Sequence, residues 1–504
     1  MEAASIDGPG RACLMHIARS ILLLPFSCCV ALAQTNNSTT TAKDQSADRS
    51  PPATSQPAEI ATSQPADDKP PKYYFRPKAM SAGRSEEPAS YARPLSEWGY
   101  DPLEPVDWLL FGVEQRTRYE YFDDDYVKDL ARSQPFLMRS RSFLGIQDIL
   151  DPFRFGVEFQ DSRAFNTKFP DSTQDVNEND FLQAYAELYF KDAAGQGQPL
   201  SFQVGRLAND YVDRRLRSRN GYRNTTNAFD GFRLRAGDQE SLWELEFFAA
   251  QPVAIRPRRP DYGDEQRWLY GLVGAWRGWA PATTLEPYYL ILDNDRRGWN
   301  QKDVELHTFG LRAYGDIPKT RFDYDVDAAF QYGRNRGLSH RAMAAHTELG
   351  YTFNHKWKPR LAAWLNYATG DRSPNDGVQQ RFNRLFGSSN GHYGSTDFFE
   401  WSNMLAPAME LRCEPDSKTL LSLVYRTNWL ASKRDAWIRA ERIDPEGHSG
   451  RFIGHEVNLY ARRKITDLLT VEIGYSHFIP GNFVEQTGEA PDSDRLFIST
   501  IIHF

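Results

Sequence analysis

Short segments that alternate apolar and polar residues recur from about residue 105 to Phe504, and no other feature constrains the fold as tightly. Phe153, Phe155, Val157 and Phe159 interleave with Arg154, Gly156, Glu158 and Gln160. Phe322, Tyr324, Val326, Ala328 and Phe330 interleave with Asp323, Asp325, Asp327, Ala329 and Gln331, and Val471, Ile473 and Tyr475 with Glu472, Gly474 and Ser476. A period of two sends successive side chains to opposite faces of a strand, so each segment has an apolar face and a wet one. Similar segments lie at 111–120, 181–190, 201–206, 229–236, 242–249, 306–314, 347–353, 361–367, 420–428 and 456–462, with Gly, Asp, Asn and Pro between them. They predict an all-β chain of antiparallel strands, roughly nine or ten residues long where best defined.

The two faces and the number of segments decide how the sheet closes. About 400 residues at ~22 per strand and loop give on the order of 18 strands, within the range of transmembrane barrels. Open sheets of that size are rare. Phe, Tyr and Leu on one face suit lipid, while the other face carries more charge than a packed sandwich core accepts. The reading is a single transmembrane antiparallel barrel with its 31 Phe and 24 Tyr turned to lipid, which lets a chain of mean hydropathy -0.62 belong to a membrane. A soluble secreted carbohydrate-binding or carbohydrate-cleaving β-protein also alternates, with its carboxylates on an exterior face. In the final segment Leu496, Ile498, Thr500, Ile502 and Phe504 share a face, and the terminal Phe504 resembles the recognition signal of bacterial outer-membrane barrels.

Ahead of the strands, Ile21–Phe26 and Val30–Ala33 form an apolar run after Arg19 that ends Ala31-Leu32-Ala33. This predicts a cleaved export signal over residues 1–33, too short to span a membrane as a helix. Residues 34–104, rich in Ser, Thr, Gln, Pro and Ala, predict a disordered linker, and 105–504 the barrel. Cys13, Cys28 and Cys29 fall within the signal, leaving Cys413 without a partner in an exported chain. Sixty basic and 67 acidic side chains, net -7, disfavour nucleic acid as a partner.

Several motifs then resemble the alginate-export family of outer-membrane porins. Gly205-Arg206, Arg214-Arg215, Asn220-Gly221 and Phe229-Asp230-Gly231-Phe232-Arg233 look like its arginine-rich strand, loop and returning strand. Ala368-Thr369-Gly370-Asp371-Arg372, Phe382 to Gly387 and His392 to Asp397 resemble its most distinctive internal stretch. Gly454 to Leu459 and Ser476 to Gly481 look like its final strands. The resemblance implies a monomeric barrel in the outer membrane of a Gram-negative-type bacterium, inserted by the barrel-assembly machinery and bathed in lipid and lipopolysaccharide. Through it an anionic polysaccharide, or a small anionic or sugar solute, passes passively.

Between Ser201 and Arg235 eight arginines, at 206, 214, 215, 217, 219, 223, 233 and 235, face three aspartates, Asp210, Asp213 and Asp230. Arg206, Arg214, Arg215, Arg217, Arg219, Arg233 and Arg235 are the candidate pore-lining, anion-selecting residues, because a guanidinium keeps its charge and its fork matches a carboxylate. Glu187, Glu244, Glu246, Asp323, Asp325 and Asp327 are candidate lumen acids. If those acids pair with the arginines, the same residues are structural, and a non-conducting scaffold follows. Acids two apart on a strand also sit at a spacing a glycosidase could use, but that spacing is commonplace in a water-lined barrel, so no enzyme is assigned. The loop opening Gly370-Asp371-Arg372 lacks the ordered spacing of a calcium site and is placed as an extracellular loop folding over the pore. The histidines show no zinc spacing, and neither metal nor cofactor is implied.

Overall fold

The computed structural model describes residues 73–79, 83–85, 87–128, 130–295 and 303–504; the predicted export signal and the predicted linker as far as residue 72 lie outside them. Among these residues eighteen long strands close into one antiparallel barrel. In chain order they are β1 (Leu109–Asp125), β2 (Phe136–Ile146), β3 (Phe153–Phe165), β4 (Asn177–Phe190), β5 (Leu200–Leu207) and β6 (Phe229–Ala236). Next come β7 (Trp243–Ala254), β8 (Arg267–Trp279), β9 (Thr283–Asn294), β10 (Val304–Asp316), β11 (Phe322–Asn335) and β12 (Leu338–Thr352). The last six are β13 (Arg360–Ala368), β14 (Met404–Asp416), β15 (Thr419–Trp429), β16 (Phe452–Lys464), β17 (Leu469–Pro480) and β18 (Ser493–His503).

Each strand pairs with its successor, and β18 returns to β1 from Glu114↔His503 to Asp123↔Asp494. Phe504 extends that seam, its backbone N–H donating to Val113 O at 2.9 Å and its carbonyl accepting from Val113 N–H at 3.1 Å. Lipid supplies no hydrogen-bond partner, so a sheet in it must have no edge.

The register lines up the apolar face residue by residue. Leu234 is opposite Phe247, Phe247 opposite Leu272, Leu272 opposite Tyr289, Tyr289 opposite Phe309, Phe309 opposite Phe330 and Phe330 opposite Met343. All but Tyr289 are strongly exposed, as a lipid-facing belt requires. The neighbouring positions Glu244, Glu246 and Phe248 point inward and are buried.

Short turns such as 147–152, 237–242, 280–282, 317–321, 417–418 and 465–468 lie at one end, which by the usual rule faces the periplasm. At the other end the connections 208–228, 369–403, 430–451 and 481–492 turn back into the barrel. There Tyr211, Phe382, Tyr393, Phe398, Phe399, Trp401, Trp437 and Phe483, the last on the short helix α1 (Asn482–Thr487), form an apolar core. This corrects the assignment of all the rings to lipid: a large share are enclosed by the barrel and hold its inward loops. Trp401 Nε1 donates to Tyr367 O at 3.0 Å and Trp437 Nε1 to Phe398 O at 2.8 Å, so both of these buried indoles are satisfied.

A second correction concerns the linker, which the sequence extends to residue 104. Its C-terminal part is built into the barrel. Ala89 and Tyr91 pack with Leu110 and Phe143, Tyr91 Oη donates to Glu158 at 2.6 Å, and Arg93 and Pro94 pair with Phe111 and Leu110 of β1. Low apolar content is compensated there by ion pairs that composition does not reveal.

The lipid belt yields a direct test. Phe247→Arg should destabilise the barrel by about 2–4 kcal/mol, the cost of a cation at mid-bilayer depth. Unfolding in denaturant from detergent or lipid should show the loss, and an unchanged midpoint would contradict the outward placement.

Candidate functional site

The lumen is narrowed at three levels. At the extracellular level a cavity of about 600 Å³ is lined by Arg118, Glu120, Tyr222, Arg223, Arg439 and Arg495, among others. Its strand wall is Arg118, Glu120, Phe122 and Asp125 of β1 with Arg495 of β18, and β1 and the adjoining β2 also turn Arg116, Arg139, Arg141 and Glu114 inward. Arg118 Nε lies 2.7 Å from Glu120, and its guanidinium covers the Tyr222 ring at 4.4 Å. Arg495 sits 5.5 Å from the same ring and donates to the carbonyls of Ser395 and Thr396 at 3.1 and 3.2 Å. Burial pushes Arg223 down to about 10, with Asp397 opposing, so it is a cation at neutral pH.

The middle level is a seam between two inward loops. Arg116 and Arg139 face each other in register, a repulsive arrangement relieved because both donate to backbone carbonyls of the 221–223 segment at 2.7–3.2 Å. Asn224, fully buried, places its amide nitrogen 2.8–3.0 Å from the carbonyls of Met138, Arg163 and Asp175. The pinned loop then pairs with 369–403: Phe386 N–H donates to Leu216 O and Ser388 N–H to Arg214 O, both at 2.9 Å. Gly387 lies at this crossing, where an added Cβ would fall 1.7 Å from Arg215 O.

At the periplasmic level a strap ahead of β1, described at residues 73–79, 83–85 and 87–94, reaches into the lumen. Lys78 pairs with Asp316 at 2.6 Å, Arg84 with Glu244 at 3.1 Å and Glu286 at 3.6 Å, and Glu87 accepts from Arg233 at 3.1 Å. A small cavity of about 100 Å³ remains beside it, lined by Glu187, Arg233, Arg235 and others.

A barrel of this architecture, polar and looped inside, agrees with what comparison with known proteins finds. The family model described as alginate export matches residues 107–498. The chain belongs to the alginate export family. Its fold is similar to solved outer-membrane barrels of Pseudomonas aeruginosa. OccK8 (OprE) is 12% identical with a TM-score of 0.54, covering 79% of this chain and 98% of that one. OccD3 (OpdP) is 11% identical with a TM-score of 0.53, covering 85% and 95%. The outer membrane protein OprD is 10% identical with a TM-score of 0.51, covering 78% and 94%. No curated protein sequence matches the chain. This alginate export family member is thus a porin-like barrel of the Gram-negative outer membrane.

Within that family frame the candidate arginines separate. Arg233 and Arg235 are on the inward face of β6, alternating with Phe232 and Leu234. Arg214, Arg215, Arg217 and Arg219 lie on the inward loop rather than the wall. Arg215 Nε is 2.6 Å from Asp213, with the Tyr393 and Trp401 rings about it at 5.5 and 5.6 Å. Arg217, buried, lies 4.0–4.6 Å from the rings of Phe229, Phe248 and Tyr211 and donates to Asn209 at 2.9 Å. Arg219 contacts Glu158 at 3.2 Å. These three act as ties for the loop. Arg206 is a correction: it shares the outward face of β5 with Phe202 and Val204, and pairs with Asp230 at 2.7 Å outside the lumen.

The acids are inward, and most are engaged. Glu244 meets Arg277 at 2.6 Å, Glu246 Arg233 at 3.8 Å, Asp323 Arg360 at 2.5 Å and Asp325 Arg312 at 2.6 Å. Asp327 accepts from Tyr288 at 2.8 Å, and Glu187 borders the small periplasmic-side cavity. In the 369–403 loop Gly370 packs on Asn403, the Asp371 N–H donates to Asp435 at 2.7 Å, and Arg372 is exposed.

The sequence passed over Arg116, Arg118, Arg139, Arg141 and Arg495. Arg116 and Arg118 alternate with Thr117 and Tyr119 as Arg233 and Arg235 do with their neighbours, so the signal was present. Arginine density along the chain is high at 201–235, whereas barrel closure gathers the first and last strands in space.

The loop seam makes its own prediction. Gly387→Val should push the two loops apart and raise single-channel conductance at least twofold while the barrel's heat-modifiable migration stays native. Unchanged conductance would contradict the crossing at Gly387.

Proposed function

We propose that this barrel passes anionic saccharides or small organic acids down an arginine-lined path through its lumen. The family and the fold support a passive, non-enzymatic channel. What carries the finer reading is the arginine surplus on the inward faces of β18, β1 and β2, the first two of which line a cavity of about 600 Å³ at the extracellular end. An enclosed basic surface of this kind raises the local concentration of anions. Several partly neutralised guanidiniums in series bind a carboxylate weakly enough to release it, as permeation needs. A second reading, a barrel held shut, draws on the loops and the strap that fill the lumen.

Reversal potentials in planar bilayers separate these readings. Under a salt gradient the channel should favour anions, and Arg223→Glu should lower the anion-to-cation permeability ratio severalfold. That substitution suits the test because the Arg223 backbone carbonyl, kept in the variant, is what anchors the loop. A cation preference indifferent to the substitution would sink the anionic cargo; no conductance at all would support the shut barrel.

A further inference from the structure

The segment ahead of β1 is held in two chemically different ways. Its second half is anchored by apolar contact and by backbone: Ala89 and Tyr91 against Leu110 and Phe143, then Arg93 and Pro94 paired with β1. Tyr91 passes so close to the wall that a Cβ on Gly112 would lie 2.1 Å from its carbonyl oxygen. Its first half is held by polar contacts to six elements around the lumen. Lys78 Nζ reaches Asp316, and Arg412 donates to Lys78 O at 2.7 Å. Arg84 lies between Glu244 and Glu286. Ser85 donates from N and Oγ to Asp210 of the inward loop at 3.1 and 2.5 Å. Glu87 takes the fork of Arg233, with Arg235 at 3.9 Å.

Glu87 is the odd member of this set. Its side chain is 30% exposed to lumen water, whereas that of Arg233 is 3% exposed. Enclosure pulls its carboxyl up, but Arg233 and Arg235 pull harder and settle it at about 2, so it is a carboxylate throughout the neutral range. The chain therefore presents its own solvent-reachable carboxylate to two inward arginines on the wall of the path. Any carboxylate arriving through lumen water meets the same fork and competes on similar terms.

We propose that Arg233 and Arg235 form a carboxylate-binding site for uronate-type saccharides which Glu87 fills when cargo is absent, so that cargo crosses the periplasmic half by taking Glu87's place and freeing the strap. The strap then swings on its apolar anchor at Ala89 to Pro94. This rests on the anionic-cargo reading, deepening it by naming where a carboxylate binds and what it displaces. Buried ion pairs are costly to break one-sidedly, and exchange of one carboxylate for another avoids leaving Arg233 to the more distant Glu246 alone, 3.8 Å away.

The test uses the full chain in detergent and in bilayers, with sodium glucuronate as the probe and glucose as the neutral control. In a Cys413→Ser background, Ser85→Cys reports strap release through its rate of maleimide labelling. Glucuronate should speed labelling at least threefold and glucose should not; adding Glu87→Gln should give the fast rate without glucuronate. Gly112→Val, which moves the strap sterically and leaves every charge in place, should match Glu87→Gln in raising conductance at least threefold. Labelling that ignores glucuronate, or Glu87→Gln and Gly112→Val channels that conduct like the parent, would overturn the proposal. Reversal potentials from the same channels keep the two readings apart: cation preference alongside glucuronate-driven labelling contradicts the general anion path and leaves this site standing.

Discussion

Every backbone N–H and C=O that crosses the hydrocarbon must find a partner inside the protein, and a closed antiparallel wall is how this chain meets that demand. The pairing of β18 with β1, continued by Phe504 on Val113, is the last bond set of that closure. Once the wall is closed, the period-two pattern has only one consistent sense. One set of side chains, Leu234, Phe247, Leu272, Phe309 and Phe330 among them, faces lipid, and the alternate set is confined to a lumen.

Confinement sets the interior chemistry. Charges on eighteen inward faces cannot all remain bare to water in so narrow a space, so most are matched: Arg312 with Asp325, Arg360 with Asp323, Arg277 with Glu244. Arginine does more than balance acids here, because its fork also fits backbone carbonyls. Arg116 and Arg139 use it to fix the 221–223 turn, and Arg495 to fix Ser395 and Thr396. The inward loops thus depend for their position on the same guanidiniums that would give the proposed path its charge.

How much of this was legible follows from what is local and what is not. Alternation in Phe153 to Gln160 is a property of eight consecutive residues, and strand, face and barrel were readable from it. The inward placement of Arg233 and Arg235 followed in the same way. Arg206 belongs to the same cluster in sequence, yet its parity with Phe202 and Val204 puts it outside. The strap was unreadable for a different reason: Lys78, Arg84 and Glu87 are ordered by partners more than a hundred residues away, and a polar, Pro-rich composition looks the same with or without them. The buried rings of 382–401 are likewise invisible to composition, which counts rings without saying which side of a wall they reach.

The central claim is that the lumen conducts and prefers carboxylates. Solute flux into proteoliposomes tests it most directly, comparing glucuronate with glucose, which share a ring and nearly a size and differ in charge. The account predicts faster entry of glucuronate, with an advantage that shrinks as ionic strength rises and screens the arginine face. Equal rates, or a faster rate for glucose at every salt concentration, would contradict it.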